Sequence, residues 1–161
     1  MTFQLVEPIL LIGLGGVGAR LAEKAKKSLN SDCLLISHDQ KDLTIENSIK
    51  ISTKSVVNPS THLIRGSTLE TSDAIKKNIA NYSTVILMSN LAGKAGAGIG
   101  PIVSRICKQE QKNLLSFVVM PFKFEKERIF QSGIALKRIR QDSQCTIVVD
   151  NDALLDSNPD L

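Results

Sequence analysis

Two glycine-rich segments dominate the sequence, and each directly follows a short apolar run. Residues 13–18 follow the run at 9–12, and residues 93–98 follow the run at 85–88. Glycine lets the backbone approach a bound group closely, and a helix that begins after such a turn offers free N–H groups to an anion. Two such turns in a chain of 161 residues therefore predict one pocket in which amides from both loops meet a phosphorylated ligand.

Short apolar runs alternate with amphipathic stretches along the chain. The runs are rich in Ile, Val and Leu and are apolar on both faces, which is typical of buried parallel strands. Strands are predicted at residues 8–12, 33–37, 61–64, 84–88, 114–119 and 145–149. Helices are predicted at residues 17–29, 71–80, 99–110 and 126–140, and residues 40–58 are predicted as an irregular surface excursion. The alternation predicts one α/β domain, a doubly wound, Rossmann-like three-layer sandwich with a mostly parallel sheet.

The composition argues against several classes of function. Apolar residues make up 42% of the chain and charged residues 22%, as in an ordinary soluble domain. The net charge is only +4, aromatic residues make up 4% and Trp is absent, so a base-stacking nucleic-acid surface is not expected. No segment reads as a signal peptide or as a membrane span, and we therefore expect a cytoplasmic protein without direct membrane insertion.

The cysteines and histidines do not indicate a metal site. Cys33, Cys107 and Cys145 match no metal-binding spacing, and their apolar surroundings predict three buried free thiols in a reducing compartment. His38 and His62 are the only histidines, which argues against a His-based metal site. No nucleophile and base stand together, so no catalytic residue is assigned.

Several polar segments fall where ligands bind in open α/β sheets, at the carboxyl ends of the strands. Both glycine-rich segments lie there, and so do Asp39, residues 121–125 and residues 150–152. Asp39 stands where a nucleotide-binding sheet often places an acid against a ribose hydroxyl, or else it is a solvated loop acid. Several loops are therefore expected to converge on one rim.

The second glycine-rich segment is chemically poorer than the first. Lys94 either meets a phosphate as a point charge or fills the space that a phosphate needs. Ala95 and Ala97 offer no hydroxyl, so an anion here would depend on backbone amides, the helix dipole and Lys94.

Two polar pairs near the predicted rim each have two interpretations. Glu125 and Arg128 are three residues apart and share a helix face. They either hold a ribose and a nearby polar group or form an exposed pair of little energetic value. Asn151 and Asp152 either recognise a base edge or serve the local turn.

Read in order, six segments resemble the nucleotide-binding domain of the FtsZ/tubulin superfamily, most closely that of FtsZ. They are residues 12–18, 36–39, 65–66, 92–101, 121–125 and 147–155. Residues 12–18 resemble the first phosphate loop, and 65–66 an Arg-Gly pair in the third loop. AGKAGAGIGP at 92–101 is similar to the GGGTGTGAAP signature, PFKFE at 121–125 to a PF-x-FE segment, and IVVDNDALL at 147–155 to an IPND-x-LL segment. The resemblance implies one nucleotide-binding domain over residues 1–161, with the family's second domain absent.

The resemblance implies a site for GTP or GDP, with Mg²⁺ only when GTP binds. It assigns to the phosphates, or to the loops that carry them, Gly15, Gly16, Val17, Gly18, Arg20, Lys94, Ala95, Gly96, Ala97 and Gly98. Glu125 and Arg128 would hold the ribose and nearby groups, beside Asp39, and Asn151 would lie near the base. The full-length form would associate head to tail into filaments, and no nucleic acid partner is implied.

Departures from the family pattern predict reduced activity. Arg20 stands where FtsZ usually has Asn, and Lys94 replaces the third glycine of the signature. Ala95 and Ala97 replace its two threonines. The family's central helix, whose Asp reads guanine, and the acidic loop that completes catalysis across the subunit contact are not in the sequence. We expect an FtsZ-like cytoskeletal cell-division GTPase domain with weakened GTP and GDP binding and no hydrolysis by this chain alone.

Two other functions stay open. A non-catalytic FtsZ-like assembly module would have kept the fold and lost the nucleotide, and the residues at positions 94, 95 and 97 favour it over an active GTPase. A Rossmann dinucleotide- or ATP-binding domain fits residues 13–18 and Asp39. That interpretation leaves the second glycine-rich segment and residues 121–125 without a role.

Overall fold

The computed structural model describes residues 3–157, which form one six-stranded parallel sheet with helices on both sides. The strands are β1 (Ile9–Leu14), β2 (Asp32–Ser37), β3 (Ser48–Lys50), β4 (Thr84–Asn90), β5 (Asn113–Met120) and β6 (Cys145–Asp150). The helices are α1 (Gly15–Leu29), α2 (Thr61–Glu70), α3 (Ser72–Ile79), α4 (Lys94–Gln109), α5 (Lys126–Asp142) and α6 (Asn151–Ser157). The strand order β3-β2-β1-β4-β5-β6 confirms the predicted doubly wound α/β fold.

The core lies on both sides of the central strands. Leu11 of β1 packs in one cluster with Ala22 of α1, whereas Leu10 belongs to a second cluster with Ile99 of α4. Helices α2, α3 and α5 lie on the α4 side, and α1 covers β1, β2 and β4 on the other. Since both faces of the central strands are covered, those strands carry apolar residues on both faces, as parallel strands usually do.

On the sheet face that carries α1, strands β5 and β6 are covered less well than the central strands. Phe117 of β5 pairs in register with Ile147 of β6, on the sheet face that also carries α1. Phe117 is half-buried there, and Ile147 is 45% exposed. Cys145 lies at this edge and is half-exposed, so the prediction that it is buried is wrong. Cys33 and Cys107 are buried as predicted, and burial raises the pKa of the Cys107 thiol to about 12.

Two predicted elements are wrong. Residues 61–64 begin helix α2 rather than forming a strand, because the Ser60 hydroxyl accepts the Leu63 N–H at 3.2 Å and caps the helix. Residues 40–58 are not wholly irregular. A 3-10 helix occupies Gln40–Asp42, and the edge strand β3 contributes buried Ile49.

The glycine-rich segments are the ends of strands and the first turns of helices. Helix α1 already begins at Gly15 and α4 at Lys94, earlier than the predicted starts at 17 and 99. Glycine disfavours helix by about 1 kcal/mol per residue relative to Ala. Tight packing against β1 and β4 overrides that preference here.

Candidate functional site

The site lies at the carboxyl edge of the sheet, where the first glycine-rich segment joins β1 to α1. Leu14 is extended, Gly15 has φ +66°, and the helix follows at once. Gly16 and Val17 are half-exposed, whereas Gly15 and Gly18 are buried. No side chain of the described residues caps α1, so its first N–H groups are free to meet an anion.

Gly18, predicted to contact phosphate, has a packing role in this structure. A Cβ at this position would lie 2.4 Å from the Met88 carbonyl oxygen. Only glycine allows α1 to approach β4 this closely. Gly16 differs, because the atoms nearest to its Cβ position belong to the side chains of Asp42 and Arg20.

The second glycine-rich segment is buried by contacts with the rest of the protein. Ala95 to Gly98 are all buried. A Cβ on Gly96 would lie 2.1 Å from the Asn90 carbonyl oxygen, and one on Gly98 would lie 3.1 Å from the carbonyl oxygen of Thr61. These glycines therefore serve the packing of α4 on β4 and α2.

Backbone amides at the start of this segment are also occupied. The Ala92 N–H donates to Asn90 Oδ1 at 3.1 Å, and the Gly93 N–H donates to the Asn90 carbonyl at 3.2 Å. Fewer N–H groups therefore face a ligand at the second segment than its glycine content suggests.

The two segments nevertheless meet. A Cβ on Gly15 would lie 2.9 Å from the Cβ of Ala95. The N-termini of α1 and α4 are thus adjacent, and neither carries a side-chain cap from the described residues. Two positive helix ends side by side favour an anion between them.

Lys94 is exposed, and its ammonium is engaged by a neighbouring loop. Its Nζ donates to Asn58 Oδ1 at 2.6 Å, and Asn58 precedes α2 with φ 54°. Both predicted roles of Lys94 toward a phosphate stay predictions. The side chain bridges the second segment to the β3–α2 loop.

Asp42 lies against Gly16 of the first segment, on the same 3-10 turn as Asp39, the acid predicted to meet a ribose hydroxyl. Asp39 is exposed and caps the 3-10 helix, accepting the Lys41 N–H at 3.0 Å. Asp42 Oδ2 accepts the hydroxyl of buried Ser37 at 2.7 Å, and its Oδ1 lies 2.9 Å from the Cβ position of Gly16. Sequence reasoning missed Asp42 because strand-to-acid spacing points to the first acid after β2.

Arg20 stands beside the same glycine. Its Nη1 lies 3.5 Å from the Gly16 Cβ position. The exposed side chain also lines a surface cavity of about 550 Å³ together with Lys24 and Lys27. Arg20 therefore places positive charge next to the exposed part of the first segment.

Glu125 and Arg128 lie at the start of α5, and Arg128 reaches the second segment. Arg128 Nη1 donates to the Ala92 carbonyl at 3.2 Å and lies 3.8 Å from Glu125 Oε1. Glu125 Oε2 accepts the Phe122 N–H at 2.8 Å. The pair thus ties the β5–α5 loop to the β4–α4 loop.

Asn151 is the first residue of α6 and is half-exposed at the same edge of the sheet. Its neighbour Asp152 accepts the Lys123 N–H at 3.0 Å, which fixes α6 to the β5–α5 loop. The structure thus brings Asn151 and Glu125 to adjoining loops, with no hydrogen bond between them among the described residues.

The Arg-Gly pair at 65–66 does not lie in a loop. Arg65 and Gly66 are inside α2, and Arg65 Nη2 donates to the Ala97 carbonyl at 3.4 Å. Burial and nearby Arg138 lower the pKa of Arg65.

Residues 3–157 offer neither a cluster of metal ligands nor a membrane-spanning helix. This part of the chain contains no group of three or more His, Cys, Asp or Glu residues arranged to hold a metal ion. None of its helices has the length and apolar composition that a bilayer span requires.

The sequence of this chain matches the model of a known protein family. The model of the Tubulin/FtsZ family, GTPase domain, matches residues 8–159. Cell division protein FtsZ 2 of Halobacterium salinarum is 27% identical over 95% of this chain and 41% of its own length. The chain thus spans less than half of such relatives.

Solved structures show the same fold. An empty FtsZ dimer from M. jannaschii superposes with a TM-score of 0.86 at 23% identity, covering 95% of this chain and 48% of that one. CetZ from Methanosaeta thermophila superposes with a TM-score of 0.76 at 17% identity, covering 94% of this chain and 48% of that one.

Proposed function

Since this chain belongs to the Tubulin/FtsZ family and matches its GTPase domain, we propose that its rim binds the guanine nucleotides GTP and GDP in an FtsZ-like protein of cell division. The observation that carries the proposal is the contact between the two glycine-rich segments at Gly15 and Ala95. This contact sets two uncapped helix N-termini side by side, which is the backbone arrangement that suits a chain of phosphates.

We propose that nucleotide binding is weak. The first segment supports a phosphate through the half-exposed backbone of Gly16 and Val17 and through nearby Arg20. The second supports it less, because the amides of Ala92 and Gly93 are already bonded to Asn90. The expected affinity therefore comes mostly from one loop.

Hydrolysis is not expected from this chain alone. Among the described residues, no nucleophile and base are placed together at the rim, and the relatives are more than twice as long as the segment they share with this chain. We propose that Mg²⁺ accompanies GTP when it binds, that the full-length form assembles head to tail into filaments, and that the protein works in the cytoplasm.

The experiment is a calorimetric titration of the folded chain with GTP, GDP, ATP and NAD. Guanine-selective binding is the expected result. Selective binding of NAD overturns the proposal and returns the chain to the dinucleotide-binding class. Folded protein that binds none of the four ligands overturns it in favour of the second candidate.

The second candidate is a non-catalytic assembly module, and the burial of Ala95 to Gly98 favours it. A double variant, Lys94→Gly with Ala95→Thr, separates the two. A gain of GTP affinity supports a decayed phosphate site, and no gain supports loss of the nucleotide. Thermal unfolding of the variant is the control, because Ala95 lies against Gly15 and a larger side chain strains that contact.

A further inference from the structure

A buried hydroxyl orients the Asp42 carboxylate beside the first glycine-rich segment. Its Oδ2 accepts the hydroxyl of Ser37 at 2.7 Å, and Ser37 is fully buried at the end of β2. The Asp42 N–H also donates to the Asp39 carbonyl at 3.1 Å, which closes the 3-10 turn. The 3-10 turn thus places the Asp42 backbone, and one hydrogen bond to the core orients its carboxylate.

The second oxygen of this carboxylate faces the start of α1. Asp42 Oδ1 lies 2.9 Å from the position that a Cβ on Gly16 would occupy. Helix α1 has no acidic residue in its own first turn and no side-chain cap. Asp42, from the β2–β3 connection, therefore places a negative charge at the N-terminus of α1. A bound anion would have to share this helix end with that charge.

That charge is not neutralised by a direct ion pair. Arg20 Nη1 approaches the same Gly16 position at 3.5 Å. The ion pairs within 4 Å over residues 3–157 are, however, Lys108 with Asp142 and Glu125 with Arg128. A phosphate at Gly16 would meet Arg20 and the Asp42 carboxylate together.

We propose that Asp42 is a specificity-determining residue of this site, which disfavours phosphate groups in proportion to their charge and so selects diphosphates over triphosphates. This inference rests on the proposed function for its natural ligand. One carboxylate about 6 Å from a phosphate weakens binding about 3-fold to 100-fold per added negative charge, depending on the effective dielectric constant. A triphosphate carries one more negative charge than the matching diphosphate, so we expect Asp42 to lower the ratio of triphosphate to diphosphate affinity about tenfold.

The test compares the natural chain with Asp42→Asn and with Glu110→Gln. The control makes the same change of charge at the C-terminal end of α4, on the opposite edge of the sheet. Each protein is titrated in EDTA with inorganic pyrophosphate, inorganic tripolyphosphate, GDP and GTP. The substitution at Asp42 should tighten the binding of tripolyphosphate and GTP about tenfold more than that of pyrophosphate and GDP. The control should change none of them.

A purely structural role of Asp42 gives a different pattern. If the carboxylate only complements the α1 dipole, Asp42→Asn lowers the thermal unfolding temperature and leaves the ratio of triphosphate to diphosphate affinity unchanged, which overturns the inference. Weaker binding of GTP to Asp42→Asn in Mg²⁺ also overturns it, because Asp42 would then act as a metal ligand. Asp42→Ala serves as a second variant if the Asn amide disturbs Ser37.

The inference and the proposed function fail in distinguishable ways. If guanine nucleotides bind the natural chain and Asp42→Asn with equal affinities, the inference fails and the proposed function stands. If guanine nucleotides bind neither but tripolyphosphate prefers Asp42→Asn, the proposed function fails and the charge selection stands. If the folded Asp42→Asn protein binds no anion, the inference is overturned.

Discussion

The two helix starts of this molecule look alike in sequence and differ in structure. The start of α1 leaves Gly16 and Val17 half-exposed, whereas the start of α4 buries everything from Ala95 to Gly98. Helix α1 follows β1 directly, α4 follows β4 after residues 91–93, and neither helix has a side-chain cap from the described residues. A glycine-rich strand–helix junction can therefore leave its backbone accessible or bring two backbones into close contact.

The glycines themselves separate these uses. Gly96 and Gly18 are needed because a carbonyl oxygen lies within 2.1 Å and 2.4 Å of where their Cβ would be. At Gly16 the neighbours are side-chain atoms of Asp42 and Arg20, so no backbone contact there requires glycine. Glycine at position 16 leaves room for the Asp42 carboxylate and keeps the half-exposed backbone accessible.

The largest expected effect comes from Gly96→Ala. The added methyl group would overlap the Asn90 carbonyl, so the free energy of unfolding should fall by about 3 kcal/mol or more. Chemical denaturation measures this. Gly133→Ala is the matched control, since nothing lies within 4 Å of its Cβ position in α5, and it should stabilise the protein by about 0.5–1 kcal/mol. If Gly96→Ala lowers the free energy of unfolding by less than an ordinary surface substitution does, Gly96 is not required by a close backbone contact.

The second-largest loss of stability is expected from Gly15→Ala. The φ of +66° costs a residue with a Cβ about 1–2 kcal/mol, and the contact with Ala95 at 2.9 Å adds to this. Combining it with Ala95→Gly should restore only the contact part. A double-mutant cycle measures that coupling, and strict additivity would show that the two segments do not press on each other.

Gly16→Ala should separate binding from stability. Its Cβ would meet Asp42 Oδ1 at 2.9 Å, and because a side chain can shift, we expect a loss of stability of about 1 kcal/mol or less. The loss of free energy of GDP binding should be larger than this loss of stability, because the methyl group occupies the exposed side of Gly16. Calorimetry and denaturation are run on the same preparation. Unchanged GDP affinity would argue against Gly16 as the phosphate contact.

The smallest effect is expected at Arg128. Its side chain is 60% exposed, so Arg128→Ala should cost about 0.5–1 kcal/mol, mostly through the lost bond to Ala92. Arg128→Lys keeps the charge near Glu125 and loses the fork that reaches the carbonyl. Equal stability of the Lys variant and the natural chain, measured by thermal unfolding, would indicate that this bond does not hold the second segment.

The fold was more predictable than the site. Five of the six strands follow from continuous apolar runs, because burial on both faces leaves a strong compositional signal. Strand β3 has three residues, too few for such a signal, and it forms because Ile49 and Ile51 fill the core. The apolar residues at 61–64 fit a strand or a helix equally well, and the cap at Ser60 decides between them.

The site residues were harder to predict because sequence position does not report which atoms a side chain meets. Asp39 and Asp42 are three residues apart on one 3-10 turn, yet only Asp42 lies against Gly16. The buried hydroxyl of Ser37 selects it. Spacing rules for nucleotide-binding sheets do not take such a hydrogen bond into account.

The half-exposed side of β5 and β6 has a practical consequence for handling this protein. Strand β6 is an edge strand, and both of its faces expose apolar side chains, with Ile147 45% and Val148 42% exposed. Such an edge offers unpaired backbone groups and apolar surface together, which is a template for aggregation. At high concentration, precipitation should begin at β6 rather than at the short β3 edge. A single Val148→Lys change on that strand is the first remedy for poor solubility.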